Sequence, residues 1–120
     1  MGHVSLDITI KGSKGKKSIG GLLVDTGATY TVLPRDELQE VGAWGGGKVS
    51  MEFGDGRTKK ADVYFIRLKA LDREGPAIAV TFKGAKPVIG VQTLESLGLR
   101  VDPNKRRLEP TRPRGIAYFY

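Results

Sequence analysis

The sequence contains no cysteine, which excludes disulfides and thiol chemistry and fits a cytoplasmic setting. Histidine occurs once, as His3, at the N-terminal edge, where it reads as a surface residue rather than a catalyst. No apolar run approaches the roughly 18 residues of a membrane-spanning helix. Nor does a basic start, apolar middle and small-residue cleavage site open the chain, so no membrane partner is expected. No segment repeats with a fixed period. At 120 residues the chain is expected to form one domain, 1–120, long enough to bury a core but too short for two lobes.

Negative charge is in the minority: 13 Asp and Glu stand against 20 Lys and Arg, a net +7. The excess is clustered. Lys11, Lys14, Lys16 and Lys17 crowd one turn, and Arg100, Lys105, Arg106, Arg107, Arg112 and Arg114 load the last fifth. Such clusters attract nucleic acid or acidic surfaces. Along the chain, however, no aromatic residues interleave with them and no nucleic-acid motif surrounds them. They read as solvated turns and a solubilising tail, and no nucleic-acid partner is expected.

The hydropathy pattern is that of many short strands. His3 to Ile10 alternates Val4, Leu6, Ile8 and Ile10 with polar residues, and Ser18 to Val24 returns as the second arm of a hairpin. Thr29 to Leu33 reads as a further strand. Pro34 opens a short helix with Asp36 and Glu37 in its first turn, ending near Gly42. Trp44 to Lys48 reads as a glycine-rich connection, with Trp44 a core or cover residue or, in the alternative, one at the rim of a cleft. Val49–Phe53 and Thr58–Ile66 form a hairpin around Gly54-Asp55-Gly56-Arg57, a strong turn signal. Ala77 to Phe82 is a strand, Val91 to Leu97 a helix stopped by Gly98, and Leu99–Asp102 with Arg107–Pro110 a last hairpin. Residues 115–120 form an uncharged apolar tail. The fold class expected is all-β, a small closed barrel with one or two short helices.

One segment carries chemistry. Asp25-Thr26-Gly27-Ala28 follows directly on the apolar run Ile19–Val24, which sets a carboxylate at the end of a strand expected to be buried. Burying a lone carboxylate costs several kcal/mol unless it is paired, hydrogen-bonded or protonated. A chain that accepts this cost usually uses the group. The tetrapeptide occurs once, so chemistry that needs two such aspartates needs two chains.

The stretch Leu22-Leu23-Val24-Asp25-Thr26-Gly27-Ala28-Thr29-Tyr30-Thr31-Val32-Leu33-Pro34, followed downstream by Pro87-Val88-Ile89-Gly90 and Val91 to Leu99, resembles the retropepsin-like aspartic proteases, above all their prokaryotic single-domain type. The likeness covers roughly residues 4 to 110. It implies the acid-protease barrel with one lobe per chain, a homodimer, and Asp25 as the catalytic residue. It implies that Thr26 hydrogen-bonds across the dimer axis, that the Gly27 amide hydrogen-bonds the carboxylate, and that Gly90 packs against the Asp25 loop. Ala28 and Thr29 would meet the substrate main chain. Met51, Phe53, Gly54, Asp55 and Gly56 would form a flap over the cleft. The tip differs from the glycine-rich tips of retroviral enzymes by carrying Asp55 and Arg57, one charge of each sign. The apolar tail would join the dimer sheet or, in the alternative, lie in the cleft and block it.

The activity so implied is endopeptidase cleavage of peptide or unfolded-protein substrates, with bulky apolar residues expected beside the scissile bond. No metal and no cofactor is required. The rivals are a catalytically silent binding or scaffold domain on the same fold and a nucleic-acid-associated basic domain. Neither explains Asp25.

Overall fold

The computed structural model describes residues 3–119. Among them lie nine strands and two short helices, in the order β1 (Ser5–Lys11), β2 (Lys16–Val24), β3 (Thr31–Val32), α1 (Arg35–Val41), β4 (Trp44–Glu52), β5 (Thr58–Ala70), β6 (Arg73–Thr81), β7 (Val88–Ile89), α2 (Val91–Leu97), β8 (Leu99–Asp102) and β9 (Arg107–Pro110). The fold is all-β, as the alternating pattern requires. No helix among the described residues is long and apolar enough to cross a membrane.

Seven strands form one sheet in the order β1-β2-β7-β3-β6-β5-β4, and a further pairing of β1 with β5 closes six of them into a ring. The long β5 makes this closure. One of its edges runs along β6 from Asp62 to Ala70. The other carries β4 over its first half and β1 against Arg67, Leu68 and Lys69. Period-two alternation sorts the side chains: Leu6, Ile8 and Ile10 of β1 and Ile66, Leu68 and Ala70 of β5 point inward and are buried. They meet Leu22, Leu33 and Ile89, while Leu38 of α1 and Leu94 and Leu97 of α2 complete the same core.

Each helix ends on a left-handed glycine, Gly42 or Gly98. Helix α1 is tied to β2 by Lys17, whose ammonium lies 2.9 Å from Glu37 and 2.7 Å from Glu40. Those two carboxylates hold the lysine pKa above its ordinary range. Strands β8 and β9 form a separate hairpin.

Three elements differ from expectation. Trp44 to Lys48 is not a connection but the start of β4: a bulge between Gly45 and Lys48 absorbs the extra residue, and Trp44 pairs with Phe65. Trp44 is accordingly half exposed, at 49%, and is neither core nor cover. Strand β5 continues to Ala70 and β6 starts at Arg73 rather than Ala77, because Leu71 and Asp72 both take positive φ (51° and 59°) and turn the chain in two residues. The strand expected over Thr29–Leu33 shrinks to Thr31–Val32, since Thr29 and Tyr30 belong to the loop after β2.

Candidate active site

Strand β2 pairs in parallel with β7, Leu23 opposite Val88 and Val24 opposite Ile89. The chain then leaves the sheet at Asp25, whose amide still donates to the Ile89 carbonyl at 2.9 Å. The loop closes on itself: the Gly27 amide donates to Asp25 Oδ1 at 2.9 Å and the Ala28 amide to the Asp25 carbonyl at 3.1 Å. Helix α2 holds the loop from the other side. Its Val91 and Gln92 amides donate to the Ala28 and Thr29 carbonyls at 2.8 and 2.9 Å, so two amides of the helix start, which have no intrahelical acceptor, are satisfied by the loop.

Gly90 is the hinge of this arrangement. A Cβ added there would lie 2.4 Å from the Tyr30 carbonyl carbon and oxygen and 2.9 Å from the Ala28 oxygen. Only a residue without a side chain permits that approach. The Gly90 amide donates to Thr31 Oγ1 at 3.1 Å, and Thr31 Oγ1 meets Thr93 Oγ1 at 2.6 Å in the core. This buried hydroxyl pair belongs to the support of the site and is missing from the residues read off the sequence.

The expectation that Asp25 is buried is corrected: in the single chain its residue is exposed. The reason lies one step back in β2, where Leu23 on the same stretch is 43% exposed, so the strand end lies at the rim of the ring and not inside it.

Beside the loop opens a cleft of about 580 Å³. Its floor is Asp25, Gly27, Ala28 and Thr29, and the β4–β5 hairpin faces them with Met51, Phe53 and Gly54. Sequence reasoning missed Tyr30, Val32 and Val88, which add apolar wall, and Lys86 and Glu52, which add a charge of each sign. Asp55 and Gly56 do not line the cleft. They sit at the hairpin tip, where Arg57 Nε donates to Asp55 Oδ2 at 2.7 Å and the Arg57 amide to Asp55 Oδ1 at 3.0 Å, so the two opposite charges cancel each other locally. Thr26 is exposed and does not line the cleft; it borders a second pocket with Gln92 and Glu95.

The hairpin is anchored at both ends. Near its tip, Phe53 packs edge-on against Phe82, the ring centres 5.6 Å apart, and Lys59 lies over the Phe82 ring. At its base, Asp62 accepts from both Lys48 and Arg35 at 2.5 Å, which binds β4, β5 and α1 together. Hydrogen bonds from Lys48 and then Arg35 hold the Asp62 carboxyl pKa below the ordinary carboxylate range.

Among the described residues no group of three His, Cys, Asp or Glu side chains is arranged to hold a metal ion. The chain matches no model of a known protein family, and no curated protein matches it.

Proposed function

We propose that this protein is an aspartic endopeptidase of the retropepsin-like kind, active as a homodimer, and that its ring of strands is one lobe of the acid-protease barrel. One observation carries the reading: a carboxylate, Asp25, is held on a loop fixed by Gly90 and α2, open to a large cleft with a β-hairpin opposite. An exposed carboxylate on a rigid loop at the rim of the chain is what a symmetric pairing needs. A second copy then brings its own Asp25 alongside, and Thr26, exposed beside it, is free to hydrogen-bond across the axis.

Two carboxylates so close cannot both ionise comfortably and share one proton. The ionised member takes a proton from a water held between them, and the resulting hydroxide attacks the scissile carbonyl carbon. The protonated member gives its proton to the carbonyl oxygen. Collapse of the tetrahedral diol then breaks the C–N bond as the amine nitrogen receives a proton from the pair. The Val49–Gly54 hairpin covers the substrate and excludes water.

The test is cleavage of an unfolded protein mixture from pH 3 to 8, with wild type and Asp25→Asn, each with and without pepstatin. Pepstatin-sensitive cleavage lost in Asp25→Asn supports the reading. Silence of the wild type at every pH, with a folded dimer shown by sedimentation, overturns it.

A further inference from the structure

In the linear sequence no aromatic residue interleaves with the Lys11–Lys17 cluster, but the strand register brings that cluster beside Phe65 and Trp44. Side chains directly opposite each other on paired strands share a face, about 4.8 Å apart, and so do residues two apart along one strand. On β5, Phe65, Arg67 and Lys69 are exposed while Ile66, Leu68 and Ala70 are buried, so the first three define the outer face of the ring. Arg67 stands opposite Lys11 of β1, and Lys11 stands opposite Lys16 of β2. Three cations therefore form a row across three strands, with Lys69 one step behind it. One row further along β5, Phe65 stands opposite Trp44 of β4, and these rings are 45% and 49% exposed.

Two details mark this face as unfinished in the single chain. Like charges directly opposite on a sheet repel, and Lys11 faces a cation on both sides. The one carboxylate of these rows, Glu74, is spent on Arg67 at 3.1 Å and leaves Lys11 and Lys16 unbalanced. The aromatic row is open as well. A Cβ on Gly46 would meet Phe65 Cε2 at 2.6 Å and Cζ at 2.9 Å, so the Phe65 ring lies against bare backbone with nearly half its surface in water.

We propose that this outer face binds single-stranded nucleic acid: Trp44 and Phe65 stack on successive bases while Lys11, Lys16, Arg67 and Lys69 meet the phosphates. Exposed π-faces next to a cationic track are the two elements that sequence-tolerant single-strand binding requires. An acidic polypeptide satisfies the cations but gives the rings nothing to stack on. The face is separate from the Asp25 cleft, and its binding does not depend on whether that cleft is catalytic.

Trp44 is the one tryptophan of the chain and reports directly. The experiment titrates the full-length protein with fluorescein-labelled oligo-dT of twenty nucleotides, reading both anisotropy and tryptophan emission. Expected are saturable quenching of Trp44 and an affinity whose logarithm falls against log salt with a slope of about −3, at roughly −0.7 per phosphate met by the four cations. Lys11→Glu with Lys16→Glu weakens binding tenfold or more. Trp44→Ala weakens it by roughly tenfold, while Trp44→Phe retains most of it; circular dichroism confirms that each variant is folded. Absence of binding at 50 mM salt, equal affinity of wild type and Trp44→Ala, or polyglutamate of matched length competing as well as oligo-dT would each overturn the proposal.

Discussion

Gly90 sits against the carbonyl of Tyr30 so closely that a single methyl group cannot be placed between them: the added carbon would lie 2.4 Å from two backbone atoms. Backbone on both sides is fixed, by the Val91 and Gln92 amides and by the Gly90 amide on Thr31. Gly90→Ala therefore cannot be absorbed by a rotamer change. It is expected to cost about 1–3 kcal/mol, the usual range for overpacking, and to push the Asp25 loop outward. Urea unfolding measures the first effect. On the proposed function, peptide cleavage falls further than the lost stability explains, and an active Gly90→Ala enzyme of unchanged stability would refute the close approach.

The hydroxyl pair beneath that contact has a distinct signature. Thr31 Oγ1 accepts the Gly90 N–H while sharing a 2.6 Å hydrogen bond with Thr93, and both threonines are fully buried. Thr93→Val keeps the shape and removes one partner, so the Thr31 hydroxyl loses a bond it cannot replace with water. The expected loss is about 1–3 kcal/mol, the cost of a buried polar group left short of a partner. Thr93→Ser, which keeps the hydroxyl, is expected to recover part of it. Equal stability of the Val and Ser variants would show that the pair contributes little.

What the sequence made legible, and what it hid, follows from how far apart the interacting residues are. The β1 strand, the Gly54–Arg57 turn, and both helices with their terminal glycines are local patterns, and they stand where the residues put them. So do Asp25, Gly27, Ala28, Thr29, Met51, Phe53 and Gly54, which share one cleft. The β5–β6 turn was illegible because Leu71 and Asp72 adopt left-handed backbone without the glycine that usually announces it. The Gly45-Gly46-Gly47 run reads as a loop because glycine weakens strands. Pairing of Trp44 with Phe65 and of Lys48 with Asp62 across the bulge makes it a strand nonetheless. The exposure of Asp25 depends on where the rim of the ring falls, which no local pattern records. Lys86 and Glu52 were missed because a cleft wall is assembled from segments that periodicity treats separately.

The acid limb of stability is expected to report on Asp62. Lys48 and Arg35 hold its folded pKa below the ordinary value, which for an aspartate is about 3.9. The charged form is thus favoured by folding: its contribution is fully present above that value and is lost as pH falls through the lowered folded one. Asp62→Asn removes this term, so its thermal midpoint should lie below that of wild type at pH 6 and converge with it once the pH falls below the lowered folded value. The pairs are partly exposed, with the Lys48 side chain 65% accessible, so the gap is expected to shrink in high salt. Parallel melting curves at all pH values would remove Asp62 from the account.

The tail can be dissected at its Arg112 clamp. The Arg112 guanidinium donates to the carbonyls of Glu95 and Ser96 at the end of α2 and, through Nε, to the Ile116 carbonyl at 2.8 Å. Arg73 reinforces it from β6 by donating to the Arg112 and Leu97 carbonyls at 3.0 Å. Beyond that clamp Tyr118 and Phe119 are 56% and 100% exposed, and among the described residues none of the tail lines the Asp25 cleft; Tyr120 lies outside the described residues. Apolar side chains held in water by a fixed anchor suit the proposed dimer sheet better than the alternative of a blocked cleft. Deleting residues 117–120 should therefore leave the clamp intact while weakening self-association in sedimentation equilibrium. Arg112→Ala should lower stability by about 1–3 kcal/mol through its charged hydrogen bonds and loosen the dimer with it. Higher proteolytic activity after the deletion, with association unaltered, would instead assign the tail to the cleft.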